Sequence, residues 1–239
     1  MAMTTTKAQA LLRLLQLTSP ALPVGAYSYS EGLETLVEQG AIATSQDMLH
    51  WLTQELTYGL VVLDGAAVGL VHSVAVQAGV GKQPEIWVPE RIARLNQDLS
   101  ALRDSEETRQ QSWDMGRALV RMGSHLHPDL KSWFSAAGSP CNFAVAFALL
   151  AARWEIDGRS AVLGYLHSWA ANLITCAVKL IPLGQTVGQE MLLELYPTLE
   201  EAGDRAIATQ ALDELSLSNW GTSLTTMQHE ILYTRLFRS

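Results

Sequence analysis

The sequence has too few cysteines, too little positive charge and too few strand-like runs for several large classes of protein. Cys141 and Cys176 are its two cysteines among 239 residues, and they form no C-x-x-C pair. We therefore expect neither a disulfide framework nor a cysteine-based metal motif. The 16 basic residues against 24 acidic ones, a net charge of -8, provide no general attraction to nucleic acid or anionic membranes. We expect a soluble cytoplasmic protein that binds neither.

Residues 160–178 are the most serious candidate for a membrane span, since they carry no formal charge and reach the necessary length. Small and polar side chains recur along this run at spacings of three and four, which places them on one face of a helix. This small-residue face comprises Gly164, Ser168, Asn172, Thr175 and Lys179. The pattern predicts a buried central helix that packs closely along this face, rather than a membrane helix.

The rest of the chain also follows the helical period, and alternating strand-like runs are hard to find. Asp104 stands at capping-box spacing from Glu107, and Asn142 opens another apolar run. Breakers between the periodic segments delimit about eight to ten helices. The predicted fold class is all-α, a single-domain bundle around the buried central helix. Two segments show the period most clearly, one with Leu49, Leu52, Leu56, Leu60 and Leu63, the other with Thr108, Gln111, Met115, Leu119 and Met122.

Motifs for catalysis, nucleotide binding or metal binding are incomplete in this sequence. The segment AGVGKQ lacks the first glycine and the final Ser or Thr of a phosphate loop. Neither Ser28 nor Ser30 lies in a G-x-S-x-G turn. His125 and His127 form an H-x-H pair beside Pro128, but a stable site needs three or four ligands. We expect no catalytic residue, no metal site and no cofactor.

Three stretches have the composition of protein contact surfaces. The opening stretch, residues 19–34, reads SPALPVGAYSYSEGLE and offers Tyr27 and Tyr29 on a proline-stiffened turn. The corner KLIPLGQTVGQE predicts a new helix capped by Thr186. The C-terminal segment alternates Arg235 and Arg238 with apolar residues, a composition that favours interfaces. The alternatives are a packed internal loop, an ordinary corner and a tail that packs on its own domain.

Four segments of the chain resemble the signature segments of the UreF family of urease accessory proteins, in the same order. The resemblance runs from about residue 10 to the end, with small departures at Tyr27, Val187 and Glu190. The segments are SPALPVGAYSYSEGLE, ETRQQSWDMGRALVRM, NLITCAVKLIPLGQTVGQ and HEILYTRLFRS.

This resemblance implies an all-helical, non-catalytic protein that forms a homodimer and assists urease activation. Family members bind UreD, called UreH in some systems, and with it recruit the GTPase UreG, whose nickel is delivered to the urease apoprotein. On this basis residues 1–239 form one domain, with a flexible N-terminus at 1–9 and a partner-binding C-terminal tail at 229–239.

The matching segments also imply which residues face partners. The opening stretch would contribute Tyr27, Ser28, Tyr29 and Glu34, and the GTPase-facing side would contain Lys179, Gln185 and Gln189. The C-terminal tail would contribute His229, Glu230, Arg235, Phe237 and Arg238. Its arginines and Lys179 are also candidates for contact with nucleotide phosphates, as in arginine fingers.

Two other classes of function remain open at this point. A nickel-binding carrier would use His125, His127 and the scattered histidines. A helical enzyme would have a concave pocket with converging titratable groups and perturbed pKa values.

Overall fold

Helices account for all the regular secondary structure, apart from one isolated bridge, in residues 6–84, 87–215, 220–229 and 235–238, which the computed structural model describes. The prediction of an all-α single domain is confirmed, but these residues form twelve α-helices, more than the expected eight to ten. They are α1 Lys7–Leu17, α2 Leu33–Glu38, α3 Ser45–Tyr58, α4 Leu60–Gln77, α5 Trp87–Ala101, α6 Glu106–Leu126, α7 Lys131–Ala137, α8 Phe143–Arg153, α9 Gly158–Leu180, α10 Gln185–Glu194, α11 Tyr196–Ala208 and α12 Trp220–His229.

A break at Gly59 accounts for one of the additional helices. The leucine series from Leu49 to Leu63 predicts one helix, but α3 ends at Tyr58 and α4 begins at Leu60. Gly59 has an extended backbone, and a Cβ there would lie too close to Glu55 of the preceding turn. The leucines keep the helical spacing across this break, which is why periodicity did not reveal it.

Three apolar helices form the centre of the bundle. Helix α9 contacts α4, α8, α10, α11 and α2, as expected for the central helix, although α4 and α8 are more completely buried. Gly65 on α4 lies against Leu166 on α9 and Ala206 on α11, so glycine and alanine allow close approach between helix backbones.

Helices α4 and α9 are long and apolar enough to cross a membrane by length and composition. In the fold, however, 61% of the most apolar window of α4 and 50% of that of α9 is buried against other helices. Apolar helices buried in this way are typical of the core of a globular protein.

The small-residue face of α9 receives the N-terminal part of the chain. A Cβ on Gly164 would lie 2.7 Å from Leu14 and 2.9 Å from Thr18, so α1 packs directly on this glycine. Further along the face, the Asn172 amide donates to the Tyr29 carbonyl at 3.2 Å. Helix α1 begins at Lys7, after a capping box on Thr6, and so starts inside the range predicted to be flexible.

Two predicted caps are wrong by one or two residues. Ser105, not Asp104, caps α6, and its Oγ accepts from the Thr108 N–H. Gly184, not Thr186, precedes the first residue of α10. In both cases the residue with the extended backbone of the N-cap position is a close neighbour of the predicted one. The presence of a short polar side chain such as Asp104 or Thr186 is therefore not enough to locate the cap.

Asn142 begins α8 as predicted, but its side chain does not cap the helix. Its amide donates to Asn96 and Ser100, and its carbonyl accepts from Ser112. This buried network joins α5, α6 and α8. Gly116 of α6 packs beside this network against the Cys141 carbonyl. A Cβ at this position would overlap the carbonyl oxygen, so the position requires glycine.

We expect Gly116→Ala to destabilise the protein by about 1–3 kcal/mol, because the new methyl group would clash with backbone that cannot move independently. Urea denaturation would measure the loss. Gly69→Ala in α4 is the matched control, since its Cβ would meet neighbours at 3.5 Å or more and the helix gains about 1 kcal/mol of propensity. Equal stability of the two variants would contradict the close packing of Gly116 against the Cys141 carbonyl.

Candidate functional site

The opening stretch is a tight turn built on three left-handed residues. Gly25, Glu31 and Gly32 have φ values of 78°, 54° and 81°. Gly32 is required for a second reason, since a Cβ there would lie 3.0–3.2 Å from Thr225 and Thr226 of α12. The turn therefore brings the start of α2 against the last described helix of the chain.

The two tyrosines of the turn have different environments. Tyr27 is 67% exposed, whereas Tyr29 is buried. The Tyr29 hydroxyl donates to Asp114 at 3.4 Å. Burial raises the pKa of Tyr29, against the opposing effect of Arg238. The alternative of a packed internal loop thus describes Tyr29, whereas Tyr27 is exposed and its contact with a partner stays a prediction.

Tail residues 235–238 lie against this turn through their backbone. The Glu34 carboxylate accepts from the Leu236 N–H at 2.7 Å and from the Phe237 N–H at 3.1 Å. The Arg238 N–H donates to the Ser28 carbonyl at 2.7 Å. Backbone recognition of this kind fixes the path of the tail independently of its side chains.

His229 links the same carboxylate to α6. Its ring is fully buried, with Nε2 3.1 Å from Glu34 and Nδ1 3.0 Å from Glu107. Glu107 also accepts from Arg235 at 3.1 Å. Burial alone would lower the pKa of His229, but the hydrogen bonds with Glu107 and Glu34 outweigh it and raise that pKa.

The tail side chains complete a compact cluster with α9. Phe237 is buried, and the Lys179 ammonium lies 5.6 Å from the centroid of its ring, a cation–π distance. Arg235, Leu236, Arg238 and Lys179 remain exposed. The alternative of a tail that packs on its own domain therefore describes residues 235–238, whose exposed side still presents positive charge.

The structure brings together eight of the twelve residues predicted to face partners and leaves three others elsewhere. Gln185 and Gln189 are exposed on α10, and Tyr27 projects to solvent. Glu230 lies outside the described residues. The prediction missed Glu107 and Asp114 on α6. Both residues lie in ETRQQSWDMGRALVRM, the second segment that resembles the family, so the sequence could have indicated them. The clustered residues are Ser28, Tyr29, Glu34, Lys179, His229, Arg235, Phe237 and Arg238.

Behind the opening stretch lies a cavity of about 400 Å³. Its outer wall includes the exposed Tyr27, Gln185 and Gln189, and its inner wall includes Glu31 and Arg103. The helical-enzyme alternative predicted a concave site of this kind.

Four titratable groups of the cavity have hydrogen-bond or ion-pair partners. Arg103 binds Asp64 at 2.5 Å, and Asp64 also accepts from the Tyr165 hydroxyl at 3.0 Å. Glu31 accepts from Trp169 at 2.9 Å and from Gln111 at 2.8 Å. Burial raises the pKa of Glu31 despite these donors. Burial also raises the pKa of Tyr165 well above its usual value, so its hydroxyl is not an activated nucleophile.

The histidine pair predicted as a possible metal site is divided. His125 is exposed, whereas Nε2 of His127 accepts from the Trp154 indole at 2.6 Å. Across the described ranges, no group of three or more His, Cys, Asp or Glu side chains is arranged to hold a metal ion. His229 contacts Glu34 and Glu107 directly at hydrogen-bond distance, so these three side chains are not arranged around a metal position.

The fold and this cluster define an all-helical protein whose N-terminal turn and C-terminal tail build one surface. The family model UreF matches residues 42–196. Two curated proteins named "Urease accessory protein UreF" are similar over nearly their whole length. The one from Trichormus variabilis is 47% identical over 95% of both chains, and the one from Synechocystis sp. is 46% identical over 95% of this chain and 97% of its own. The chain belongs to the UreF family of urease accessory proteins.

We expect Glu34→Gln to increase the rate of tryptic cleavage after Arg235 at least about tenfold, because hydrogen bonds to a charged acceptor contribute about 1.5–3 kcal/mol. Cleavage follows the population of detached tail when reclosing is fast. Mass spectrometry of the released peptide gives the rate. Glu38→Gln, on an exposed position of the same helix, should leave the rate unchanged. Equal rates in both variants would contradict the role of Glu34.

Proposed function

We propose that this chain is a non-catalytic scaffold and regulator of urease maturation. With UreD or UreH it recruits the GTPase UreG, and the assembly delivers nickel to the urease apoprotein. The chain acts as a homodimer in the cytoplasm, without nucleic acid or membrane contact. Membership of the UreF family supports this proposal, since the relatives are named urease accessory proteins.

The observation that carries the proposal is the exposed surface formed by the opening stretch and the tail. It presents Arg235, Arg238 and Lys179 together with the exposed Leu236, on a chain whose net charge is -8. Arginine and aromatic side chains are enriched among residues that dominate binding energy at interfaces. Positive charge on an acidic protein also favours association with a partner through one defined face.

The non-catalytic role is supported by the chemistry of the buried groups. Burial raises the pKa of both Cys141 and Cys176 to about 12, so neither thiol is an activated nucleophile near neutral pH. The cavity beside Tyr27 is the feature on which an enzyme would depend. Its Asp64 and Arg103 are paired with each other, so we retain the scaffold as the proposed function.

Co-purification of this protein with UreD and UreG, with and without GTP and Mg²⁺, tests the proposal directly. Light scattering would give the mass of each assembly. A defined complex containing all three proteins is the expected result. Failure of the chain to co-purify with either UreD or UreG under every condition would overturn the scaffold role.

We expect the double charge reversal Arg235→Glu and Arg238→Glu to weaken the complex with UreD at least about tenfold, because loss of a residue that dominates binding energy costs about 2 kcal/mol or more. Binding would be measured by titration calorimetry. The matched control is Arg91→Glu with Arg94→Glu, which makes the same change in net charge at exposed positions of α5. Equal affinity of the two double variants for UreD would contradict the proposal that Arg235 and Arg238 form part of its binding surface.

A further inference from the structure

The buried ring of His229 faces a carboxylate on each side. Glu34 of α2 lies 3.1 Å from Nε2, and Glu107 of α6 lies 3.0 Å from Nδ1. A carboxylate accepts hydrogen bonds and does not donate them, so both contacts are hydrogen bonds at once only when both ring nitrogens carry protons. The geometry therefore fits the imidazolium cation.

The same two carboxylates hold the tail. Glu34 accepts from the backbone of Leu236 and Phe237, and Glu107 accepts from the Arg235 guanidinium. Each glutamate thus divides its oxygens between His229 and residues 235–238. A change in the charge of the ring acts directly on groups that bind the tail.

We propose that His229 is a pH-sensitive latch, whose protonated ring holds residues 235–238 on the body of the protein and whose deprotonation releases them.

The release step is the loss of one proton from the imidazolium to solvent. The neutral ring keeps a single N–H, so its other nitrogen presents a lone pair to a carboxylate oxygen about 3 Å away. Two acceptors in contact in a buried site repel each other, and one glutamate must turn away. If Glu34 turns, the N–H groups of Leu236 and Phe237 lose their acceptor. If Glu107 turns, Arg235 loses its ion pair.

Charged groups on the surrounding elements agree with this assignment. Glu34 faces the ring from α2 and Glu107 faces it from α6, the two helices that pack on α12. From the tail, Arg235 approaches through Glu107. From α9, Lys179 lies over the Phe237 ring. The carboxylates are thus the charges in hydrogen-bond contact with the imidazole among the residues that the structure describes.

The sign of the pH dependence follows from linkage. The two glutamates raise the pKa of His229 above its usual 6.5 in the docked state. The stabilisation of the docked tail is therefore complete below about pH 6.5 and is lost as the pH rises through the raised pKa. Each unit of difference between the docked and undocked pKa corresponds to a tenfold change in the ratio of docked to undocked tail.

The latch concerns the isolated chain and does not depend on UreD or UreG. A nitroxide spin label on Leu236→Cys would report tail mobility from pH 6 to 9, because Leu236 is exposed and binds Glu34 through its backbone alone. The native cysteines are buried and do not compete for the label. We expect an immobilised spectrum at pH 6 and a growing mobile component at higher pH, with the profile of a single proton.

His229→Gln in the labelled protein removes the titrating group, and its amide carries its N–H donors on one nitrogen, in place of the two donor nitrogens of the imidazolium. We expect its tail to be mobile at every pH. His50→Gln, the same change at an exposed histidine of α3, should titrate like the unsubstituted labelled chain. The proposal is overturned by tail mobility that is equal at pH 6 and pH 9, or by a transition that persists in His229→Gln.

A measurement without substitution at His229 guards against a variant that does not fold. NMR titration of the His229 ring in the labelled protein, after reduction of the nitroxide, gives its midpoint directly. We expect this midpoint to coincide with that of the tail transition. Midpoints separated by a full pH unit would assign the release to another group and reject the latch.

Discussion

The small-residue face of α9 is the constraint on which the rest of this structure depends. Gly164 lets α1 pack directly on the helix, and Asn172 binds the carbonyl of Tyr29. Further along the same face, Lys179 reaches the ring of Phe237. One helix face therefore positions α1, the opening stretch and the tail. A larger side chain at Gly164 would move α1, and with it the segment that leads into the opening stretch.

Periodicity predicted the helical class, the central helix and its small-residue face, because those depend on side-chain spacing along one helix. It did not predict the break at Gly59, since the leucines on either side keep the same spacing. Glu107 was also missed. It lies far along the chain from both Glu34 and His229, and only tertiary folding brings the three together. Sequence order located the segments of the site but not their pairing.

The left-handed pair Glu31 and Gly32 lets the opening stretch contribute to both the cavity and the tail contact. Glu31 points into the cavity, where Trp169 and Gln111 bind its carboxylate, whereas Glu34 points to α12 and the tail. A non-glycine residue with positive φ costs free energy that its surroundings must offset. The two hydrogen bonds to Glu31 provide that compensation. The cavity and the tail contact are therefore both built on the same short turn.

The tail contact also imposes an order of events during synthesis. Glu34 and Leu236 are separated by 202 positions along the chain. At translation rates of roughly 5–20 residues per second, Glu34 leaves the peptidyl transferase centre on the order of ten to forty seconds before Leu236 is added. During that interval α2, α6 and α9 can fold without the segment that later covers Glu34. The contact between Glu34 and residues 235–238 can consequently form only after the rest of the described chain has been synthesised.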